Sequence, residues 1–495
     1  MIKNPLTKIN GFFYYKKMNH EYLYWNCEKL LQAYKTKQLS PVEVVKETLN
    51  NAKKYNKSFN FITENFENKA LENAKVAEQL FLGKGNKKPR LLEGIPLAVK
   101  DEFALSGTYR TSGSKLYENR KDDFTDVYVE RLLLGGAIPV IKTTTPEFCL
   151  LGTTWSDLHG VTSNPWNKNY SPGGSSGGSG VALATGSSTI ATGSDIGGSI
   201  RIPASACGIF GYKPPYGRNP EVPYMNLDYY SHSGPMARST GDIILMQALT
   251  AGIHNQDIAS LKQVEPFDYN LNLKGVKIAW STDFCGFEIE DDIINNLNNA
   301  LKVLSDLGAV IEKVDLDLSA EVLDATEIYL NSVWGTALAN EVLGKEDFIT
   351  SYSRKYLEHS KERTLNDFIK SNKIAWETYA KFGPMIDKFD VFICPTNAVT
   401  GIPANHGYPN LDYEFNSKLR STKEDGDETM WLTTPFNMMS RLPVMSAPTG
   451  FASNNIPTGM QIVGKPYDDN SVFKVSFAYE KSLEWLFDEK NRPIF

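Results

Sequence analysis

Paired cysteines are missing from this chain. Cys27, Cys149, Cys207, Cys285 and Cys394 are odd in number, lie far apart and never take CxxC spacing. That pattern excludes a disulfide framework and a zinc ribbon, and it fits a reducing compartment. Blocks of basic residues are absent too. The 58 acidic side chains outnumber 52 basic ones for a formal charge of −6, which excludes a broad nucleic-acid-binding face. No stretch approaches the ~20 apolar residues of a membrane span. The run Gly11-Phe12-Phe13-Tyr14-Tyr15 is too short for a signal core, and Lys16-Lys17 closes it. The expectation is a cytoplasmic protein, with Met18 as an alternative start that would make the first 17 residues an appendage. Internal repeats are also lacking.

What is present is the balance of a globular protein, 41% hydrophobic and 22% charged over 495 residues. Ser40-Pro41-Val42-Glu43 is a helix start: a capping hydroxyl, proline at the first helical position and a carboxylate three residues after the cap. A second helix is expected over Glu67 to Leu80, then an exposed connector from Gly83 to Pro89. Beyond it the pattern becomes strand, helix, strand: Ile95 to Val99, Asp126 to Leu134 and Ile138 to Ile141. The same order returns at Val276 to Trp280, Asp291 to Leu307 and Ala309 to Val314, with Gly308 as the helix stop. Val391 to Cys394, Val444 to Ala447 and Gly459 to Val463 read as further core strands. The predicted architecture is one α/β domain over 1–495. An N-terminal helical segment spans 18–83, and a mainly helical insertion spans about 318–435.

One glycine/serine-rich tract stands out, Ser171-Pro-Gly-Gly-Ser-Ser-Gly-Gly-Ser-Gly180, followed by Asp195-Ile-Gly-Gly-Ser-Ile-Arg201. A flexible linker does not run straight into an apolar segment such as Val181-Ala182-Leu183-Ala184. A phosphate loop needs a lysine, and none lies between Ser171 and Arg201; a dinucleotide loop needs a third glycine where Leu183 stands. Gly173-Gly-Ser175-Ser-Gly177 satisfies the Gly-x-Ser-x-Gly elbow of serine hydrolases. That chemistry needs a histidine base, and His232, His254, His359 and His406 sit in no strong motif, so the elbow stays a rival.

The segment Gly173 to Ser205, GGSSGGSGVALATGSSTIATGSDIGGSIRIPAS, resembles the signature of the amidase-signature family. Gly94-Ile-Pro-Leu-Ala-Val-Lys100-Asp101 resembles that family's lysine strand, and Asn164-Pro165-Trp166, Gly208 to Pro214 and Gly234-Pro235-Met-Ala-Arg238 add further matches. The likeness runs from about Ser40 to Leu486. It implies an α/β/α sandwich around a large mixed central sheet. It also implies a Ser–cis-Ser–Lys triad, carried here by Ser199, Ser175 and Lys100, with the cis peptide at Gly174–Ser175.

Those residue types suit amide cleavage. An amide carbonyl is a weak electrophile, so Ser199 must lose its proton as it attacks, leaving an acyl-enzyme. By the resemblance Lys100 is the base and Ser175 passes the proton, since a hydroxyl both donates and accepts. Lowering a lysine from ~10.4 to ~8 takes roughly 3 kcal/mol, which burial beside Ile95, Leu97 and Val99 would supply. Without the family likeness, Lys100 would read as a surface lysine at a strand end. Asp101 should point the opposite way. Ile196-Gly197-Gly198-Ser199 can turn backbone N–H groups towards one point as an oxyanion hole. Asp195 and Arg201 are expected to brace that loop, and Ser176 and Ser179 to make structural hydrogen bonds.

Cys149-Leu150-Leu151-Gly152 is expected to pass the acyl pocket, although core packing explains its apolar side chains equally well. A buried structural cysteine is the favoured reading of Cys149 over a thiol nucleophile. His232, in Tyr229-Tyr230-Ser231-His232-Ser233, is a candidate substrate contact or an ordinary loop histidine, and Trp431 to Asn437 resembles a stretch near the pocket mouth. The leading expectation is a stand-alone amidase for small or lipophilic amides, with no metal and no cofactor. Its partners would be a small-molecule amide and no nucleic acid; a homodimer is compatible with the sequence. The alternative is a glutamine-dependent amidotransferase subunit of a tRNA-charging complex. That subunit typically carries Ser-Leu-Asp-Gln before its Gly-Pro, where this chain has Tyr230-Ser231-His232-Ser233. A catalytically dead paralogue is disfavoured because Lys100, Ser175 and Ser199 are all present.

Overall fold

Five consecutive buried residues, Pro96–Lys100, form strand β2, and strands of this kind occur where both faces of a sheet are covered. The computed structural model describes residues 6–9, 12–15, 20–84, 86–222, 224–262, 266–267, 269–283, 285–406, 411–421, 432–484 and 486–493. Met18, Gly85 and Trp431 lie outside them. The central sheet takes β1 Ile62–Asn65, β2, β3 Ile138–Thr143, β4 Ile190–Ser194, β5 Phe210–Lys213 and β6 Ser233–Ala237. It continues with β7 Lys277–Trp280, β8 Val310–Lys313, β9 Val391–Pro395, β10 Val444–Phe451 and β11 Pro457–Gly464. These eleven strands lie in the order β8-β7-β9-β11-β10-β5-β6-β4-β2-β3-β1.

The sheet is mixed, as expected. Strands β4, β2 and β3 run parallel, as do β8, β7 and β9, and the block between them is antiparallel. The parallel pairing of Leu97 with Ile190 brings the carboxyl ends of β2 and β4 to one edge. Lys100 therefore stands near Ser194 and Asp195. Ligands of α/β sheets bind outside such carboxyl ends. Two short helices, Gly177–Ala184 and Arg201–Cys207, are buried along their whole lengths and begin just after Ser175 and Ser199.

The N-terminal segment folds as helices Cys27–Lys35, Pro41–Phe59 and Glu67–Phe81, and Ser40 caps the second by accepting from the Val42 N–H. Its strand β1, at the sheet edge, is half-buried over Ile62 to Glu64 and exposed at Asn65, with no alternation to mark it in the sequence. The region expected to be mainly helical over about 318–435 is helical to Ile386, in Glu321–Leu330, Thr336–Val342, Ser351–Glu362 and Leu365–Ile386. Beyond it, Val391–Pro395 joins the sheet as the core strand expected from Val391 to Cys394, and the helical expectation fails where Asp412–Phe415 pairs with Lys418–Ser421 as a hairpin. Among the described residues no helix is long and apolar enough to cross a membrane.

Helix Ser351–Glu362 docks beside the site through Glu147, whose side chain is 1% exposed. The carboxylate accepts from the Thr350 N–H and hydroxyl and from the Ser353 hydroxyl, each at 2.6 Å. Hydrogen bonds to a charged group contribute more than neutral ones. Glu147→Ala should therefore cost about 2 kcal/mol or more in urea denaturation. A loss below about 0.5 kcal/mol would mean that this carboxylate does not hold the helix in place.

Candidate active site

Lys100 ends a strand whose neighbours leave its side chain no route to solvent; it is fully buried. Its ammonium donates to Ser175 Oγ at 2.7 Å and to Ser194 Oγ at 2.7 Å, and lies 3.1 Å from Glu102 Oε2. Ser194 in turn donates to the same Glu102 oxygen. Asp101 points to the opposite side, as strand alternation requires, where it accepts from Thr111 and faces Lys142 at 3.7 Å.

Ser175 lies on the loop that enters helix Gly177–Ala184, after a cis peptide at Gly174–Ser175. Only glycine fits at 174, because a Cβ there would run into the carbonyls of Thr153 and Leu151. The Ser176 N–H donates to the Ser199 carbonyl at 3.1 Å, tying the two serine loops together. Ser175 is completely buried and Ser199 keeps 7% exposure, so of the two only Ser199 retains any solvent access. Ser179 bonds Thr192 O at 2.9 Å and Ser176 lies 3.5 Å from Ser194 O, the structural contacts expected of them.

The loop Asp195–Ser199 is held by a buried ion pair. Asp195 Oδ1 and Oδ2 accept from Arg201 Nη2 and Nε at 2.8 and 2.9 Å. Arg201 also donates to Thr433 O, Gln461 and Asn437, and both members of the pair are fully buried. Burial pushes the Asp195 carboxyl up, but Arg201 and Asn437 pull it further down, well below the usual carboxylate range. The same carboxylate accepts the Gly198 N–H at 2.9 Å and the Ile200 N–H at 3.2 Å. Gly198 is thereby removed from the set of four expected oxyanion donors. The N–H groups of Ile196, Gly197 and Ser199 have no protein acceptor among the described residues.

The structure moves two expectations. His232 is not a surface-loop histidine: it is 3% exposed, and its ring lies against Asp195 O at 3.1 Å and Ser440 O at 3.3 Å. Burial and the nearby Lys213 lower its pKa to about 3, so it is neutral and braces the loop. Lys100 is the other. Burial depresses its pKa, as the apolar strand implies, but Cys149 and Glu102 outweigh that, and the net direction is upward. The expected value near 8 is therefore not what this environment provides.

Cys149 sits at φ 62°, in the left-handed region, within a turn where Phe148 shares that conformation. Its sulfur lies 3.2 Å from Thr145 Oγ1, and it interacts with Lys100, Ser175 and Glu102. Burial raises the thiol to about 11, which keeps it un-ionised near neutral pH and inert as a nucleophile there; it bears charge against Lys100 only in the alkaline range where both titrate. Leu150 and Leu151 pack into a cluster with Trp155, Ile202 and Val399. Gly152 is half-buried beside them. Sequence reasoning missed Ser194 and Glu102. Both were readable in principle: Glu102 stands two residues after Lys100, and Ser194 directly precedes Asp195.

Known proteins share this arrangement of sequence and fold. The family model described as Amidase matches residues 43–473. The glutamyl-tRNA(Gln) amidotransferase A subunit of Rippkaea orientalis is 32% identical, covering 94% of this chain and 99% of that protein. Its counterpart from Pediococcus pentosaceus is 31% identical, over 90% and 94%. Among solved structures, a bacterial aryl acylamidase of the amidase-signature enzymes shares the fold with a TM-score of 0.84 at 24% identity, covering 93% and 97%.

Removing one member of the buried Asp195–Arg201 pair leaves the other charge unpaired, at a cost of about 3–5 kcal/mol. Arg201→Met should lower the denaturation midpoint accordingly. A melt matching that of the parent protein would show that the pair does not anchor the loop.

Proposed function

The chain belongs to the amidase family, whose model spans residues 43–473, and on that footing we propose that it cleaves its amide through an acyl-enzyme on Ser199. It is an enzyme of C–N amide bond cleavage. The observation that carries the proposal is the buried Lys100–Ser175 hydrogen bond of 2.7 Å, with the Ser199 loop tied to the Ser175 loop.

In this reading Ser199 Oγ attacks the amide carbon while its proton passes to Ser175 Oγ, and the Ser175 proton passes to Lys100 Nζ. The oxyanion is met by the N–H groups of Ile196, Gly197 and Ser199, which have no other protein acceptor among the described residues. Collapse returns the proton along the same path to the leaving nitrogen. Water then attacks the ester, giving up its proton to the same relay, and a carboxylate is released. Asp195 and Arg201 act on this chemistry by fixing the loop, and Gly174 by fitting against the Leu151 and Thr153 carbonyls where a Cβ would collide.

For the amide itself, the relatives favour the reading placed second from sequence: release of ammonia from glutamine within a glutamyl-tRNA(Gln) amidotransferase. One specific feature supports the other reading, hydrolysis of a small or lipophilic amide. Tyr230-Ser231-His232-Ser233 stands before Gly234-Pro235, and His232 there is committed to main-chain carbonyls. Ammonia release from glutamine, measured beside a panel of aryl, fatty, amino-acid and peptide amides, separates the two. Glutamine as the preferred substrate, with co-purifying subunits, supports the first; turnover of the panel without glutaminase activity supports the second.

Ser199→Ala and Lys100→Ala should each abolish turnover, and Ser175→Ala should leave a trace. A fluorophosphonate should label Ser199 covalently, and retention of labelling in Ser199→Ala would refute the nucleophile assignment. Because Lys100 must be neutral to act and its pKa is raised, activity should be low at pH 6 and climb into the alkaline range. Full activity at pH 6 would contradict a lysine base. Added chelator should leave the rate unchanged.

A further inference from the structure

Lys100 is fully buried among groups of unequal solvent access. Ser175 is completely buried and Ser194 is 9% exposed, whereas the Glu102 side chain keeps 29% exposure. Glu102 also meets the lysine twice: directly, 3.1 Å from Nζ, and through Ser194, whose hydroxyl donates to Oε2 while accepting from Nζ at 2.7 Å. The ammonium thus meets Ser175, Ser194 and Glu102, with the Cys149 sulfur as a further neighbour, so none of its three protons is without a partner. A base held in this way cannot accept a proton from Ser175 until one of its own has left.

We propose that Glu102 is the positioning residue that fixes the charge of Lys100, and thereby the pH at which Ser199 becomes reactive. The inference rests on the reading of Lys100 as the base. At rest the Glu102 carboxylate holds Lys100 as an ammonium aimed at Ser175. Activation moves one proton from Nζ to Glu102 Oε2: an N–H bond breaks, an O–H bond forms, and the pair passes from two opposite charges to none. The proton then leaves to water from the exposed side of Glu102, and Lys100 is free to take the proton that Ser199 sends through Ser175.

Three other ionisable groups lie around Glu102. On the 147–149 turn, Cys149 is un-ionised, its thiol raised to about 11 by burial and by Glu102. Asp126, at the head of helix Val127–Leu134, is raised to about 6, and Glu221, before strand β6, to about 8; burial is the main cause in both, with the Glu102 charge adding to it. Glu102 itself is raised by burial, but Lys100 and Ser194 lower it further, so it is ionised at rest and, unlike Asp126 and Glu221, lies in direct contact with the ammonium.

The test is the rate of Ser199 labelling by a fluorophosphonate, followed across the pH range in parent, Glu102→Gln and Glu102→Asp, with a thermal melt of each. Removing the anion lowers the lysine pKa, so neutral base is present at lower pH. The acid limb of the Gln variant should move down by about one to three units. Glu102→Asp keeps the charge one methylene further away, and its limb should fall between the other two. A Gln limb that superimposes on the parent or moves up overturns the proposal, as does a folded Gln variant that labels at no pH. Should the Gln variant not fold, the Asp variant decides: an unmoved limb overturns the proposal and a lowered one supports it. A separate control is Lys100→Ala. Labelling as fast as in the parent would remove the base reading itself, a failure distinct from an unmoved limb.

Discussion

A single ammonium group organises this site. Lys100 has no contact with solvent, so its charge has to be met by the protein, and Ser175, Ser194 and Glu102 meet it. Each partner comes from a different place in the chain. The lysine ends β2, Ser194 ends the parallel β4, Ser175 precedes a buried helix, and Glu102 follows the lysine by two residues. The parallel register of β2 and β4 is therefore part of the chemistry, because a slip by one residue would turn Lys100 to the other face.

A second constraint works on the backbone. Asp195 and Arg201 are fully buried together, and their hydrogen bonds reach Gly198, Ile200, Thr433, Asn437 and Gln461. An ion pair removed from water persists only when nearly every donor and acceptor is used, and here that requirement joins the Ser199 loop to distant segments. One consequence is the division of labour among neighbouring N–H groups. Gly198 serves the carboxylate, while Ile196, Gly197 and Ser199 are left for the proposed oxyanion.

Much of the architecture is readable from the chain. The buried strands around Lys100 and the helix start at Ser40 follow from patterning and capping, and the fold class follows from the family likeness. Strand β1 is not readable, being too short and too evenly half-buried to show a period, whereas the return of the chain to the sheet at Val391–Pro395 follows from its apolar run. The hairpin at Asp412–Ser421 has its pairing set by neighbours that no local window contains. At the site, Lys100, Ser175 and Ser199 could be named because the family likeness carries the triad onto these positions; Glu102 and Ser194 were marked only by their place in the chain, two residues after Lys100 and directly before Asp195.

The sequence by itself determined which groups are available: a lysine on an apolar strand, two serines among glycines, an acid and an arginine six residues apart. It also determined that Asp101 turns away from Lys100, since alternation along a strand is a local property. Only the tertiary structure decided the charge state of those groups. Whether burial or a neighbouring anion governs Lys100 depends on distances between residues far apart in the chain, and there Cys149 and Glu102 outweigh desolvation. The same holds for His232, a loop histidine by sequence, which the fold encloses between two carbonyls and keeps neutral.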